Sequence, residues 1–113
     1  MDSLNSDRKI IRKVLSDLAA IPYAYGDLEK RVMFDEGTNN YAVITLGWEQ
    51  DGRRAHGCLV HVEIHDDGKI WIQRDGTEDG VAVDFLAAGI PRGRIVLGFH
   101  SPERRQHTEF AAA

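Results

Sequence analysis

The first hydrophobic pattern along the chain is a stripe at helical spacing. Its apolar members are Leu4, Ile11, Val14, Leu15 and Leu18. These positions follow the 3.6-residue period of one helix face, and most of the charged residues of the segment fall elsewhere. Pro22 and the turn-forming residues 23–27 follow. The pattern therefore predicts an amphipathic helix over residues 4–20.

The hydrophobic period changes from 3.6 to two between Leu28 and Asp75, which is typical of β-strands. The first strand alternates Val32 and Phe34 with Arg31 and Met33, and a turn-rich segment, 36–40, separates it from the second. We assign Ala42, Ile44, Leu46 and Trp48 to the buried face of the second strand. A third strand, 53–65, buries Cys58, Val60, Val62 and Ile64, and a fourth covers 69–74. Strands joined by such short turns pair antiparallel, because a parallel pair needs a crossover of about a dozen residues or more.

A second helix is predicted after these strands. Thr77 can cap its N-terminus, with Glu78 and Asp79 in the first turn, where negative charge is favourable. The helix extends to about Ala88, and Gly89 and Pro91 end it. A short apolar run, 95–100, and a polar tail complete the chain. The prediction is a single α+β domain, residues 1–113, with an N-terminal helix, a four-stranded antiparallel meander, a second helix and a short C-terminal arm.

Composition narrows the classes of function. The 113 residues carry 18 acidic and 14 basic side chains, a formal charge of −4, whereas nucleic-acid-binding domains are usually basic. A single cysteine excludes an intrachain disulfide framework. The polar start Met1-Asp2-Ser3 does not resemble a signal peptide, and no apolar run is long enough to span a membrane. We expect a cytoplasmic protein.

One triplet of residues has the chemistry of metal ligands. His61, Glu63 and His65 project from one face of the third strand, and imidazole and carboxylate both bind zinc. Alternate strand residues lie about 6.5–7 Å apart, so the two histidines are about 13 Å from each other and cannot easily share one ion. A metal-dependent hydrolase or nuclease subunit is the alternative function. We favour a polar strand that faces solvent or a partner, with no metal, cofactor or catalytic residues.

The remaining candidates point to binding. Tyr41, Val43, Leu59 and Trp71 have the parity opposite to the assigned core, so the second sheet face is partly apolar, as at an interface or under the C-terminal helix. Cys58 is expected to be buried and inert. The loop 75–80 lacks the spacing of calcium or phosphate motifs and is better explained as a helix cap. Arginines near the C-terminus could contact an acidic protein or DNA phosphate. The candidate partner-binding residues are Tyr41, Trp71, Arg92, Arg94, His100, Arg104 and Arg105.

Several short motifs together carry a family resemblance. They are Gly47-Trp48, Gly57-Cys58, the stretch from Lys69 to Glu78, the stretch from Ile95 to Pro102, and Thr108 to Ala111. As a set, they resemble the XisI-like family of fdxN element excision controlling factors over essentially the whole chain. The resemblance implies an accessory role in programmed DNA excision, alongside a companion called XisH and a separate recombinase that cleaves the strands. It implies no catalytic residues. We therefore expect a homo-oligomer, such as a dimer, that also binds an XisH-like protein. Direct binding to DNA stays open.

Overall fold

A long N-terminal helix precedes the sheet in the computed structural model, which describes residues 3–113. Helix α1 (Ser3–Ala20) confirms the predicted amphipathic helix, and its buried residues are Asp7, Ile11 and Leu15. Ile11 and Leu15 belong to the predicted apolar stripe, but the buried Asp7 does not. Met1 and Asp2 of the predicted polar start lie outside the described residues. No helix within residues 3–113 is long and apolar enough to cross a membrane.

Five strands form one mixed sheet in the order β1-β2-β3-β4-β5. They are β1 (Asp27–Asp35), β2 (Asn40–Trp48), β3 (Arg54–Ile64), β4 (Ile70–Asp75) and β5 (Ile95–Leu97). The first four pair antiparallel, as predicted. The prediction of a purely four-stranded antiparallel sheet is wrong, because β5 adds to β4 in parallel.

The connection from β4 to β5 explains this parallel pairing. It runs through helix α2 (Val81–Ala87) and a 3₁₀ turn (Arg92–Arg94), and so returns the chain to the end of the sheet at which β4 began. A crossover of this kind is what a parallel pair requires. The predicted apolar run at residues 95–100 thus contains a strand of three residues, too short to be recognised by its periodicity.

Helices α1 and α2 cover one face of the sheet, and the core lies between them. Side chains from every strand except β1 are fully or almost fully buried there, together with Ile11, Leu15, Val81 and Phe85 from the helices. Phe34 of β1 packs at the margin of this core. The opposite face of the sheet has no helix of comparable length over it among the described residues.

Helix α2 begins later than predicted. Its first residue is Val81 and its N-cap is Gly80, so the prediction of Thr77 as the N-cap is wrong. Asp75 holds the loop instead: its Oδ1 accepts from Thr77 N at 3.0 Å, and its Oδ2 accepts from Val81 N at 2.7 Å. The acidic loop at residues 75–80 therefore fastens the end of β4 to the start of α2.

The buried face of β2 is the reverse of the predicted one. Tyr41 and Val43 are fully buried in the core, whereas Ala42 and Ile44 point to the opposite face. Both alternations in this strand are apolar, so hydrophobicity alone did not identify the buried one. The register of β2 with β3 also skips Leu59, a β-bulge that places Cys58 opposite Ile44 rather than in the core. Cys58 is accordingly exposed, not buried as predicted.

The C-terminal arm, residues 98–113, docks onto the body of the protein. It contains a short helix, α3 (Pro102–Arg105), and Ala111 bridges to Val96 of β5, with Ala111 N donating to Ile95 O at 2.9 Å. Phe110 packs against the core. The apolar residues near the C-terminus thus anchor the arm at the β5 edge of the sheet.

Candidate functional site

The second face of the sheet, which α1 and α2 leave uncovered, divides into two halves. On the half formed by β4 and β5, Trp71 lies under the C-terminal arm. The Arg105 guanidinium carbon is 5.0 Å from the centre of the Trp71 ring, and the His65 ring stacks on it with centroids 4.7 Å apart. The arm therefore covers Trp71 within the chain, whereas the predicted cover, the second helix, packs on the opposite face of the sheet.

The half formed by β1, β2 and β3 stays open to solvent. It presents a set of apolar side chains that we call the open patch, defined as Met33, Ala42, Ile44, Leu46, Trp48 and Cys58. Met33 is 63% exposed and Trp48 is 49% exposed. Exposed apolar side chains that are contiguous mark interaction sites more often than isolated ones do. The open patch is the strongest binding feature of the described structure.

The His61, Glu63 and His65 triplet lies beside the open patch as a hydrogen-bonded row. His61 Nε2 is 2.7 Å from Asn40 Oδ1, and His65 Nε2 is 3.0 Å from Glu63 Oε1. Gln73 Nε2 also donates to Glu63 Oε1, at 3.1 Å. Burial acts to raise the pKa of Glu63, but the hydrogen bonds from His65 and Gln73 outweigh it and lower the pKa below its ordinary value.

These contacts bear on the metal alternative. No group of three or more His, Cys, Asp or Glu side chains suited to a metal ion is found within residues 3–113. Glu63 pairs with His65, whereas His61 turns to Asn40 of the neighbouring strand. The triplet therefore shares one face, as predicted, but its side chains do not converge on one point.

Tyr41 was predicted to lie on the partner-facing side of the sheet and Cys58 in the core, and the structure shows the reverse. Tyr41 is 0% exposed, its ring 5.6 Å from that of Phe34, and its hydroxyl has no hydrogen-bond partner among the described residues. Burial, and then the nearby Glu36 carboxylate, raise the pKa of Tyr41. Tyr41 is thus a core residue in this structure. Partial burial raises the pKa of the exposed Cys58 thiol, which disfavours the reactive thiolate.

The C-terminal basic residues do not form one positive surface. Arg92 pairs with Glu109 at 3.2 Å, and Arg94 pairs with Asp7. Arg105 donates to His100 O and Ala112 O, both at 3.0 Å. His100 packs against Phe99, and Arg104 is exposed without an ion pair to any described carboxylate. Most of the predicted cluster therefore holds the fold and the arm together.

Sequence reasoning missed residues that matter for both stability and binding. Asp7 gave no signal, because a charged residue on a helix is normally solvated and its partner Arg94 is remote in sequence. Arg54 and Arg74 border the open patch, opposite Trp48 and His61 respectively. Strict alternation along β4 would have placed Arg74 on the wrong face, because the register of β4 with β3 skips Gln73.

Comparison with known protein families identifies the family of this α+β chain. The family model described as XisI protein matches residues 1–112. The chain therefore belongs to the XisI family, as the motifs indicated.

Two solved structures from Anabaena variabilis are similar to it. One, a XisI-like protein, is 33% identical, with a TM-score of 0.86 over 97% of this chain and 99% of that one. The other, the fdxN element excision controlling factor XisI, is 34% identical, with a TM-score of 0.70 over 96% of this chain and 94% of that one. No curated protein gave a significant match.

Proposed function

We propose that the chain is a non-catalytic accessory factor that binds a companion protein of the XisH type in the site-specific excision of a DNA element. The observation that carries the proposal is family membership over nearly the whole chain, together with a similar solved protein described as an excision controlling factor. In this proposal strand cleavage belongs to a separate recombinase, and this chain contributes recognition in the cytoplasm.

The open patch supports a role in protein binding. Exposed Met33 and Trp48 flank a strip of aliphatic side chains on β2, and aromatic residues, Met and Arg are enriched at the cores of protein interfaces. The His61 row adds polar groups along one side of the strip. A mixed apolar and polar face of this type suits a protein partner better than a small polar substrate.

Capture of the companion tests the proposal. The chain and an XisH-type protein encoded in the same genome are co-expressed, and one is purified through a tag on the other at several salt concentrations. The expected result is a complex that survives gel filtration. Failure to form it, with both proteins shown to be folded, contradicts the proposal; a tag-only bait is the control.

The metal-dependent hydrolase or nuclease subunit is tested separately. Elemental analysis of untagged protein, together with His61→Ala, distinguishes the two functions. Stoichiometric zinc or manganese that is lost in the variant, or turnover of any phosphodiester by the purified protein, would contradict a non-catalytic role. The pairing of Glu63 with His65, and of His61 with Asn40, supports the non-catalytic role.

Self-association into a dimer is part of the same proposal. β1 is an edge strand of nine residues, and no strand within residues 3–113 pairs with its outer edge. Edge strands of this length are templates for pairing with another chain. Sedimentation velocity over a range of concentrations is expected to show a dimer, and a monomer at all concentrations would contradict this part of the proposal.

A further inference from the structure

The arginines of this chain fall into two groups. Six of the ten form ion pairs with described carboxylates, namely Arg8, Arg12, Arg31, Arg53, Arg92 and Arg94. The other four, Arg54, Arg74, Arg104 and Arg105, form no ion pair within residues 3–113. By strand parity and by the contact of Arg105 with Trp71, Arg54, Arg74 and Arg105 lie on the second face of the sheet. Three of the four arginines without an ion pair among the described residues thus lie on the same face of the sheet.

Arg54 and Arg74 are oriented at the border of the open patch. The Arg54 guanidinium carbon is 5.1 Å from the centre of the Trp48 ring, and Arg54 Nη1 donates to Gly47 O at 3.3 Å. Arg74 Nε donates to Cys58 O at 3.3 Å. Both side chains are exposed. Each guanidinium keeps further N–H groups for a ligand while its position is already restricted, which reduces the entropy cost of binding.

No carboxylate within residues 3–113 forms an ion pair with Arg54 or Arg74. Glu29 pairs with Arg31 at 2.5 Å, and Asp35 Oδ1 accepts from Gly37 N at 2.9 Å in the turn after β1. The surface around Trp48 and Cys58 therefore combines apolar area with positive charge. Trp and Arg are the residues most enriched among those that dominate binding energy at protein interfaces.

We propose that the open patch docks an acidic amphipathic segment of a partner protein. The apolar side chains of that segment lie on Ile44 and Leu46, and its carboxylates lie against Arg54 and Arg74. The inference deepens the proposed function, on which the identity of the partner rests, and it adds the chemistry of the recognised segment. Electrostatic complementarity of this kind gives specificity and rapid association.

Other occupants fit the patch less well. A two-fold contact with a second copy would bring the patch against itself and put two sets of unpaired arginines into one interface, where like charges are costly. Single-stranded nucleic acid is bound through rows of aromatic side chains. Here the centre of the patch is aliphatic, and Trp48 is the one aromatic residue among its defining members.

Charge reversal at the patch is the first test. The probe is the full-length XisH-type companion, and the variants are Arg54→Glu, Arg74→Glu and the double variant. Each single variant is expected to weaken binding by about tenfold or more. Lys9→Glu is the matched control, because Lys9 is exposed on α1, on the other side of the sheet, and the change in charge is the same. Unchanged binding by the double variant would overturn the docking surface while leaving the proposed function intact.

A second test does not depend on the companion. The probe is a synthetic amphipathic peptide with leucines on one side and glutamates on the other, and the control is the same peptide with lysines in place of the glutamates. Backbone hydrogen exchange of the protein is measured with each peptide added at up to millimolar concentration. The expected result is protection of residues 42–48 by the acidic peptide only. Equal protection by both peptides, or protection elsewhere, would overturn the inference even if the companion binds. If the companion does not bind but the acidic peptide protects this strand, the proposed function fails and the docking chemistry stands.

A third measurement tests the two other occupants. Ile44→Glu places a charge at the centre of the open patch, and circular dichroism checks that the variant is folded. A wild-type dimer that dissociates in Ile44→Glu would show that a second copy covers the patch, and would overturn the inference. Competition of duplex or single-stranded DNA with the acidic peptide would overturn it as well.

Discussion

Asp7 in α1 and Arg94 in the 3₁₀ turn form an ion pair between positions 87 residues apart in the sequence. Asp7 is only 4% exposed, and Arg94 also donates to Gly68 O from Nη2, at 3.0 Å. One guanidinium thus joins the first helix, the turn between β3 and β4, and the segment that leads into β5.

Removing one member of this pair is expected to destabilise the protein strongly. Asp7→Ala leaves the Arg94 guanidinium without its carboxylate and should lower the free energy of unfolding by about 2 kcal/mol, less than for a fully buried pair because the Arg94 side chain is 32% exposed. Urea denaturation followed by circular dichroism measures the change. The control is Lys13→Ala, which breaks the exposed Lys13–Asp17 pair and should cost less than about 0.5 kcal/mol. Equal effects of the two substitutions would contradict this role of Asp7.

Gly47 is expected to tolerate no side chain. Its φ is +136°, and a Cβ atom built there would lie 2.0 Å from Asp27 O on the neighbouring strand. Gly47→Ala should therefore lower the free energy of unfolding by about 2 kcal/mol or more. Gly57→Ala in β3 is the matched control, because a Cβ there meets nothing within 4 Å, and the change should be neutral or slightly stabilising. Thermal unfolding of both variants measures the difference, and equal melting temperatures for the two variants would contradict the prediction.

The Glu63 hydrogen bonds predict a specific pH dependence. Because they lower the pKa of Glu63 in the folded protein, its ionised form contributes stability above the ordinary value near 4.5. That contribution is lost as the pH falls through the lowered pKa. The difference in stability between wild type and Glu63→Gln should therefore narrow as the solution is acidified below that value. A difference in unfolding free energy that stays constant until the protein unfolds in acid would contradict this prediction. Glu78→Gln, at an exposed position outside the network, is the control for the loss of one carboxylate.

The arm should depend on Arg105. Arg105→Ala removes the contact with the Trp71 ring and the hydrogen bonds to His100 O and Ala112 O. A loss of about 1–2 kcal/mol is expected, confined to the arm and the nearby half of the sheet. Hydrogen exchange should become faster in residues 102–111 while β2 keeps its protection. Arg104→Ala is the control, and loosening of the arm to the same extent in this variant would argue against the Arg105 contacts.

The parts of the fold that sequence predicted correctly are those governed by local periodicity. The stripe through Ile11 and Leu15 is long enough to fix α1, and the turns at residues 36–39 and 66–68 fix the antiparallel strands. The buried face of β2 could not be predicted in this way, because Tyr41 and Val43 are as apolar as Ala42 and Ile44. Which of the two sets of side chains is buried depends on the face that α1 covers, and this depends on tertiary packing rather than on local sequence.

The candidate site was harder to predict for a related reason. The strand registers skip Leu59 and Gln73, and each bulge reverses the face on which the following residues lie. A two-residue period that is continued past the bulge at Leu59 assigns Cys58 to the core, although Cys58 is exposed to solvent. Arg94 looked like a surface contact because its partner Asp7 is distant in sequence. Only the folded chain shows that Arg54 and Arg74 are the arginines that border the open patch.

The parallel placement of β5 has a consequence for how the protein is made. Helix α1 and the four antiparallel strands emerge from the ribosome before Ile95 and the Asp7 partner Arg94 do. Until then β4 is an edge strand, and the side of Trp71 that the arm later covers is exposed. Newly synthesised chains are therefore most prone to wrong pairing after β4 has emerged and before β5 has, and truncation before residue 95 should produce aggregation rather than a smaller folded protein.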